Sequence, residues 1–377
     1  MNTIENIILQ CKEATANPKK AIDDFYKETG KKSVGCFPLY CPEEIVHAAG
    51  MLPVGIWGGQ VDLNMVRSIL PAFACSIMQS VMEFQLQSVY DSLVAVIIPS
   101  PCDTLKAIGQ KWSRENVPCI QFVPPHNRQL KAARVFLKEE YKAIRDKLEA
   151  IIGEAISDEA IQESIKVYNE HRQVMRKFAN VAAKYPDIID PVSRHEVMKS
   201  AFFMRKEKHT ALVKALISEL NTKEVKPWGG LKTVVSGIML EPTSVIEVFK
   251  EFNIAITADD LAQESRQYRV DIPEGDDVFD AMAGMWQEMY GCSLAFETDK
   301  SRVKMLREMK EKYEADAVII CMMKFCDPEE FDYPIIKKEM EYHDIPLLQI
   351  EIDQQVQYVE QIRTRIQSFT EILQESK

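Results

Sequence analysis

Gly35-Cys36-Phe37-Pro38-Leu39-Tyr40-Cys41-Pro42-Glu43-Glu44-Ile45-Val46-His47-Ala48-Ala49-Gly50 places two cysteines directly before a helix start. Pro42 suits the first helical position, Glu43 and Glu44 suit the first turn, and Ile45, Val46 and Ala49 form an apolar stripe. Cys41 thus stands near the N-cap, where unpaired backbone N–H groups and the helix dipole favour a thiolate. The device returns at Cys321-Met322-Met323-Lys324-Phe325-Cys326-Asp327-Pro328-Glu329-Glu330. There Asp327 can cap, Pro328 opens the helix and Cys326 lies just outside. Two thiols at two distant helix starts point to one site shared between two halves of the chain.

Outward from the first stretch, residues 51–59 read as a short strand ending in a glycine turn, and 93–99 as a buried strand of unbroken apolar character. Residues 119–124 are a further strand. A helix begins near Leu70 with Cys75 close to its start, and another opens at Cys102-Asp103. Residues 2–30 read as polar helices with Ile4, Ile7, Ile8 and Cys11 at helical spacing. Residues 130–220 are almost wholly helical in pattern, interrupted at Tyr185-Pro186 and Asp190-Pro191. Strands resume after Lys226-Pro227-Trp228-Gly229-Gly230, at 232–239, 254–258, 317–322 and 347–353. The expected fold is α/β: two doubly wound, Rossmann-like lobes with parallel sheets, residues 1–130 and 226–377, joined by a helical segment over 131–225. In each lobe an apolar strand (Val96-Ile97-Ile98, Val318-Ile319-Ile320) leads to a cysteine before a helix. Ligands of open parallel sheets bind beyond the carboxyl ends of the strands. That rule gathers Cys102, His126, Gly237, Asp259, Asp260, Cys326 and Asp353 at a cleft between the lobes.

Composition narrows the function. The 377 residues exceed a usual single domain, and 46% hydrophobic with 27% charged residues is ordinary globular content. A net charge of −11 argues against a nucleic-acid protein. No apolar run reaches the ~18 residues a membrane span requires, and the start Met1-Asn2-Thr3-Ile4-Glu5-Asn6 lacks the basic region of a secretion signal. A cytoplasmic location is expected. No Gly-x-Gly-x-x-Gly follows a strand and no Walker-type phosphate loop occurs, so nucleotide hydrolysis would have to come from another protein.

Nine cysteines, an odd number in such a chain, do not suggest a disulfide framework. Core filling, nucleophilic catalysis and metal binding compete for them. Cys11, Cys119 and Cys292 have no helpful neighbours and read as core or incidental residues. Cys41, Cys75 and Cys326 are too far apart for a zinc ribbon or a compact ferredoxin motif. Their placement at helix starts suits an anionic, thiolate-bound cluster. His47 and His126 are the candidate activators if one cysteine is a nucleophile. Glu43, Glu44, Asp327, Glu329 and Glu330 have a plainer reading as first-turn residues, Asp259-Asp260 as helix caps, and Met322-Met323 as core. Arg172, Arg176, Arg194 and Arg205 read as solvated or salt-bridged, the alternative being contacts to a phosphate-bearing ligand.

The run from Tyr40 to Gly55 resembles the entry motif of the 2-hydroxyacyl-CoA dehydratases. So do Cys75, Cys102-Asp103, Lys324-Phe325-Cys326-Asp327-Pro328-Glu329, and the ending Glu351-Ile352-Asp353-Gln354 with Arg363-Thr364-Arg365. The resemblance covers nearly the whole chain. It is nearest to the beta, smaller, subunits acting on (R)-2-hydroxyisocaproyl-CoA and (R)-phenyllactyl-CoA, with benzoyl-CoA reductase subunits a weaker match. It implies a heterodimer with an alpha subunit, a [4Fe-4S] cluster held by three cysteines in each subunit, and a separate ATP-hydrolysing iron–sulfur activator that injects one electron. The motif cysteines map onto Cys41, Cys75 and Cys326, with Cys36, Cys102 and Cys321 as neighbouring alternatives.

The implied chemistry removes water from a 2-hydroxyacyl thioester whose C3 proton is not acidic. One electron on the thioester carbonyl makes a ketyl radical that expels the neighbouring hydroxyl. The enoxy radical left behind has a far more acidic C3–H, and the electron is recovered after deprotonation. The resemblance gives the acyl-CoA mainly to the alpha subunit, so this chain is expected to relay the electron, with no acid or base assigned. A non-catalytic iron–sulfur scaffold is the alternative.

The same physics ranks the crowded thiols. Cys321 falls inside an apolar strand, where low dielectric disfavours a thiolate, and Cys36 lies away from the helix start; Cys326 and Cys41 are preferred. Cys102 rivals Cys75 because Asp103 could cap its helix, and the motif favours Cys75.

Overall fold

The computed structural model describes residues 2–112, 116–356 and 359–375. Two helices lead, α1 (Thr3–Thr15) and α2 (Pro18–Thr29). The first lobe follows with β1 (Ser33–Cys36), α3 (Glu43–Ala48), β2 (Leu52–Gly55), α4 (Ser76–Leu86), β3 (Ala95–Pro99), α5 (Asp103–Trp112) and β4 (Cys119–Phe122). Four long helices come next: α6 (Lys131–Ile152), α7 (Asp158–Ala182), α8 (Pro191–Ser200) and α9 (Lys206–Leu220). The second lobe comprises β5 (Leu231–Gly237), α10 (Thr243–Glu251), β6 (Ile254–Leu261), α11 (Val278–Glu288), α12 (Ser301–Lys312), β7 (Ala317–Met323), α13 (Asp327–Tyr342), β8 (Leu347–Ile352) and α14 (Glu360–Glu375). Among the described residues no helix is long and apolar enough to cross a membrane.

Both sheets are parallel and four-stranded, in the orders β2-β1-β3-β4 and β6-β5-β7-β8. The two orders are the same arrangement, with each lobe's first strand placed centrally and the chain reversing direction across it. The expected α/β architecture of two lobes is therefore present. One strand was not legible. Ser33–Cys36 is only four residues long and contains a glycine, yet it is central to the first sheet. Gly35 is needed there because a Cβ would press on Ile56, Leu93 and Val96 at 3.0 Å each. Cys36 consequently ends a buried strand, paired with Gly55 and Ile97.

A single apolar core runs through both lobes, including Val34, Val96 and Ile97 from one sheet and Val235, Ile319 and Ile350 from the other. A second core unites α1 with α7, α8 and α9 through Ile4, Ile7, Cys11, Met175, Val197 and Val213. Helices α6, α7 and α9 carry their apolar residues on one side, as their burial patterns show, whereas the shorter α8 is buried nearly all round.

Polar pins then lock the lobes together. Gln354, fully buried beyond β8, donates Nε2–H to the Trp57 carbonyl (3.0 Å) and to Glu241 (3.0 Å). Its Oε1 accepts from Ser80 at 2.9 Å, and its backbone N–H donates to Ser76 Oγ at 3.1 Å. Glu241 also pairs with Lys199 at 2.6 Å and with His195 at 3.4 Å, while His195 Nδ1 lies 2.9 Å from Glu264. Helix α8 is thereby tied to the second lobe and, through Glu241 and Gln354, to Trp57 of the first.

Burial alone would depress the His195 pKa, but Glu241 and Glu264 outweigh it and raise the value to about 9. A histidine with a raised folded pKa contributes stability that is complete below its unfolded value of about 6.5. That contribution is lost as pH rises through about 9. The melting temperature should therefore decline between about pH 6.5 and 9. His195→Gln should melt lower at neutral pH and flatten this slope; an unchanged slope in the variant would exclude His195 as its source.

Candidate functional site

The parallel order dictates where the thiols fall. In each sheet the chain reverses between the first and third strands of its lobe, leaving a crevice beyond their carboxyl ends. Cys41 follows β1, Cys102 follows β3 and Cys326 follows β7. Cys75 is the N-cap residue of α4, and Cys326 that of α13. Pro42 caps α3, so Cys41 stands one residue further out than the sequence suggests. All nine cysteines are free.

Contacts across the cleft bring the lobes' thiols to one place. Ser76 Oγ, next to Cys75, lies 3.2 Å from Met323 Sδ at the end of β7. Cys75 and Cys102 interact electrostatically, and Cys326 interacts with both. Cys102 also senses Asp327. Cys41 lies on the turn after β1, its thiol donating to the Ile97 carbonyl of β3 (3.3 Å) and interacting with Cys36. The structure thus sets Cys75, Cys102 and Cys326 within electrostatic range of one another and Cys41 against β3. Among the described residues no three His, Cys, Asp or Glu side chains converge as the ligands of a single ion would.

Helix starts and burial compete over these thiols. Burial pushes the Cys75 pKa up to about 12, although the Ile77 and Met78 N–H groups pull the other way. Burial likewise raises Cys102 against the Thr104 and Leu105 N–H groups, and raises Cys326 against that of Glu329. The helix-start expectation of stabilised thiolates is therefore outweighed by desolvation. Burial also raises Cys321 inside β7, as expected; for Cys36, the Cys41 thiol is the larger cause and burial the second.

Backbone conformation singles out two of the turns. Leu39 and Tyr40, before Cys41, have φ of 70° and 64°, and Phe325, before Cys326, has φ of 62°. Left-handed non-glycine residues cost roughly 1–2 kcal/mol each and persist where surrounding contacts enforce them. Cys41 and Cys326 thus share an aromatic residue held in a costly conformation immediately ahead of the sulfur.

The remaining expected residues separate into structural roles. Asp259 is buried against Arg194, and Asp260 against Arg266, Arg269 and Arg302. Gly237 closes β5 at φ 151°, where a Cβ would lie 2.3 Å from the Cys321 carbonyl oxygen. Asp353 accepts from the Gln355 N–H at 2.9 Å. His47 bonds Ser164 (2.9 Å) and Glu207 (3.3 Å), and exposed His126 faces the Leu294 carbonyl (3.3 Å). Among the described residues neither histidine bonds a cysteine, so the Cys–His nucleophile reading has no geometric support.

Glu43 pairs with Lys206 at 3.0 Å and accepts from Tyr168 at 3.1 Å, and buried Glu44 pairs with Arg172. Both first-turn carboxylates therefore anchor the cysteine-bearing turn to the helical segment. Arg176 holds Asp271, Arg194 holds Asp259 and Glu264, and Arg205 holds Glu207. All four arginines are thus salt-bridged, as their plainer reading had it.

Sequence reasoning missed Arg266, Arg302 and Ser293, and assigned no contact to Cys292 or Gln354. The closeness of Arg266 and Arg269 to Asp260, six and nine residues on, offered a signal; the partners of Arg302, Cys292, Ser293 and Gln354 are far away in sequence.

Residues 38–373 match the family described as 2-hydroxyglutaryl-CoA dehydratase, D-component. Lactoyl-CoA dehydratase subunit beta of Anaerotignum propionicum is 54% identical over 375 residues, covering 99% of this chain and 100% of that one. The (R)-phenyllactyl-CoA dehydratase beta subunit of Clostridium sporogenes is 42% identical with the same coverage of both chains, 99% and 100%. Subunit beta of (R)-2-hydroxyglutaryl-CoA dehydratase from Acidaminococcus fermentans is 34% identical, covering 98% and 100%.

Proposed function

The chain belongs to the 2-hydroxyglutaryl-CoA dehydratase D-component family, and from that premise we propose that it is the beta subunit of a heterodimeric (R)-2-hydroxyacyl-CoA dehydratase. It carries a [4Fe-4S] cluster in the cleft between its lobes and works in the cytoplasm with an alpha subunit and an ATP-hydrolysing iron–sulfur activator. The observation that carries this reading is the gathering of free thiols from both lobes at helix starts around one cleft.

The donor set fits the group. Cluster thiolates are spread over separate irons, so their sulfurs need not converge on one point as they would around a single ion. Thiols held protonated by burial bind metal by releasing protons, and the helix-start N–H groups that face the sulfurs then stabilise the negative charge. When bound, the cluster supplies a low-potential electron to the dehydration. Cys41, Cys75 and Cys326 are the proposed ligands. The left-handed residues before Cys41 and Cys326 favour Cys41 over Cys102 as the third. The chain's own residues position these sulfurs: Glu43 and Glu44 anchor the first turn, and Ser76 with Gln354 holds the Cys75 helix against β7.

Two outcomes test the proposal. Protein purified without oxygen should hold about four irons per chain, the content of one such cluster. Single Cys→Ser replacements at 41, 75 and 326 should lose it, and those at 36, 102 and 321 should keep most of it, read by iron analysis and cluster absorbance. Iron loss in Cys102→Ser with retention in Cys41→Ser would move the third ligand to Cys102.

Lactoyl-CoA is the first substrate to try, since it appears in the name of the 54%-identical relative. Its dehydration should require the alpha subunit, the activator, ATP and a reductant together. Steady turnover by this chain alone would refute the division of labour.

A further inference from the structure

Cys292 reads from sequence as a core or incidental residue and is buried in the core, and the turn that bears it touches both cysteine-presenting elements. The Tyr40 O–H lies 2.6 Å from Cys292 Sγ, and the Tyr40 ring packs on Trp286 of α11 with centroids 4.3 Å apart. One residue on, Ser293 Oγ donates to Glu329 Oε1 at 2.7 Å, and Glu329 lies in the first turn of the helix that Cys326 caps. Arg266 stands behind the turn, fully buried, with Nη1 3.9 Å from Cys292 Sγ and Nη2 3.8 Å from Glu329. Asp260 holds Arg266 in place at 3.1 Å, and Arg302 braces Glu329 from its other oxygen at 2.8 Å. Gly291 sets the bend, at φ 67°, where a Cβ would meet Met305 at 2.9 Å.

We propose that Cys292 and Ser293, backed by Arg266, form a positioning clamp that fixes the Tyr40–Cys41 turn of the first lobe relative to the Cys326 helix of the second. The inference rests on the cluster reading above and adds residues that are not ligands. Its physical basis is that a left-handed tyrosine holds its conformation only while something enforces it. Here the enforcing contacts come from the opposite lobe. Relaxing them lets Cys41 adopt more than one orientation and admits water, and outer contacts and solvent exposure both tune an iron–sulfur centre.

The test uses the full chain purified without oxygen, as Tyr40→Phe, Ser293→Ala, the pair combined, and Cys292→Ser. Tyr40→Phe retains the ring against Trp286 and removes only the hydroxyl. Cys11→Ala, a buried thiol in the helical core, controls for general loosening. Iron content should stay at the parent level in all four clamp variants. The midpoint potential of the cluster should shift, its reduced EPR spectrum should become heterogeneous, and bleaching in air should quicken several-fold, most in the combined variant. Cys11→Ala should change none of these.

Parent-like potential, spectrum and bleaching in Tyr40→Phe and Ser293→Ala would overturn the clamp while leaving the cluster reading intact. Iron loss in Cys292→Ser as complete as in Cys326→Ser would also overturn it, by making Cys292 a ligand. An iron-free parent chain would instead overturn the cluster reading itself.

Discussion

Asp260 is a fully buried carboxylate shared by three arginines, and much of the second lobe is arranged around it. Burying one carboxylate is expensive, and burying guanidinium groups with it is tolerable only when nearly every hydrogen-bonding position is met. That condition is satisfied here. Arg266 also reaches the Asp260 and Gly237 carbonyls, Arg302 reaches Ser236 Oγ and Glu329, and Arg269 reaches the Tyr290 carbonyl. The charges hold the Asp260 pKa well below the usual carboxylate range despite burial. One anion at the end of β6 thereby fixes the ends of two strands, the start of α12 and the first turn of α13, and with the last of these the cysteine that caps it.

The join between the lobes has a different chemistry. Gln354 is neutral and meets groups of both lobes, so it costs less desolvation than an ion pair and is more demanding of geometry. Because the apolar core also runs through both sheets, the cleft is a built feature of the fold rather than a gap between hinged bodies. Burial of the thiols is the corollary. Desolvation in the cleft raises the Cys75, Cys102 and Cys326 pKa values, and the helix starts that sequence reasoning credited with stabilising thiolates moderate this without reversing it.

How much was legible follows from the range of each interaction. Strands with long apolar runs, 95–99 and 317–323, could be read because burial on both faces imposes composition locally. Strand β6 was read only over 254–258, because Asp259 and Asp260 looked like helix caps rather than strand residues held by buried arginines. Ser33–Cys36 could not, because a four-residue strand made central by its neighbours has no periodicity of its own. Cys36 was set apart from Cys41 for lying away from the helix start, whereas the structure places it at the end of a buried strand. Cys292 is a core residue, as its sequence reading allowed, while its contacts to Tyr40, 252 residues away in sequence, and to Arg266, 26 away, had no local signal. Glu43 and Glu44 were recognised as first-turn residues, while their partners on α7 and α9 depend on packing no local pattern encodes.

The same reasoning explains why the spacing of the cysteines carries so little information and their topology so much. A compact metal motif draws its ligands from one loop, so its spacing is short and recognisable. Here each lobe has the same strand order, and each crevice opens at the same topological point. Cys41 and Cys102 belong to the crevice between β1 and β3, and Cys326 to the one between β5 and β7. Contacts at Ser76–Met323, Gln354–Trp57 and Tyr40–Cys292 set those two crevices against each other. A site built this way must take its residues from opposite ends of the chain, since a parallel sheet spends a whole crossover between successive strands. Its signature is therefore a repeated local event, in which an apolar strand ends, the chain turns and a cysteine precedes a helix.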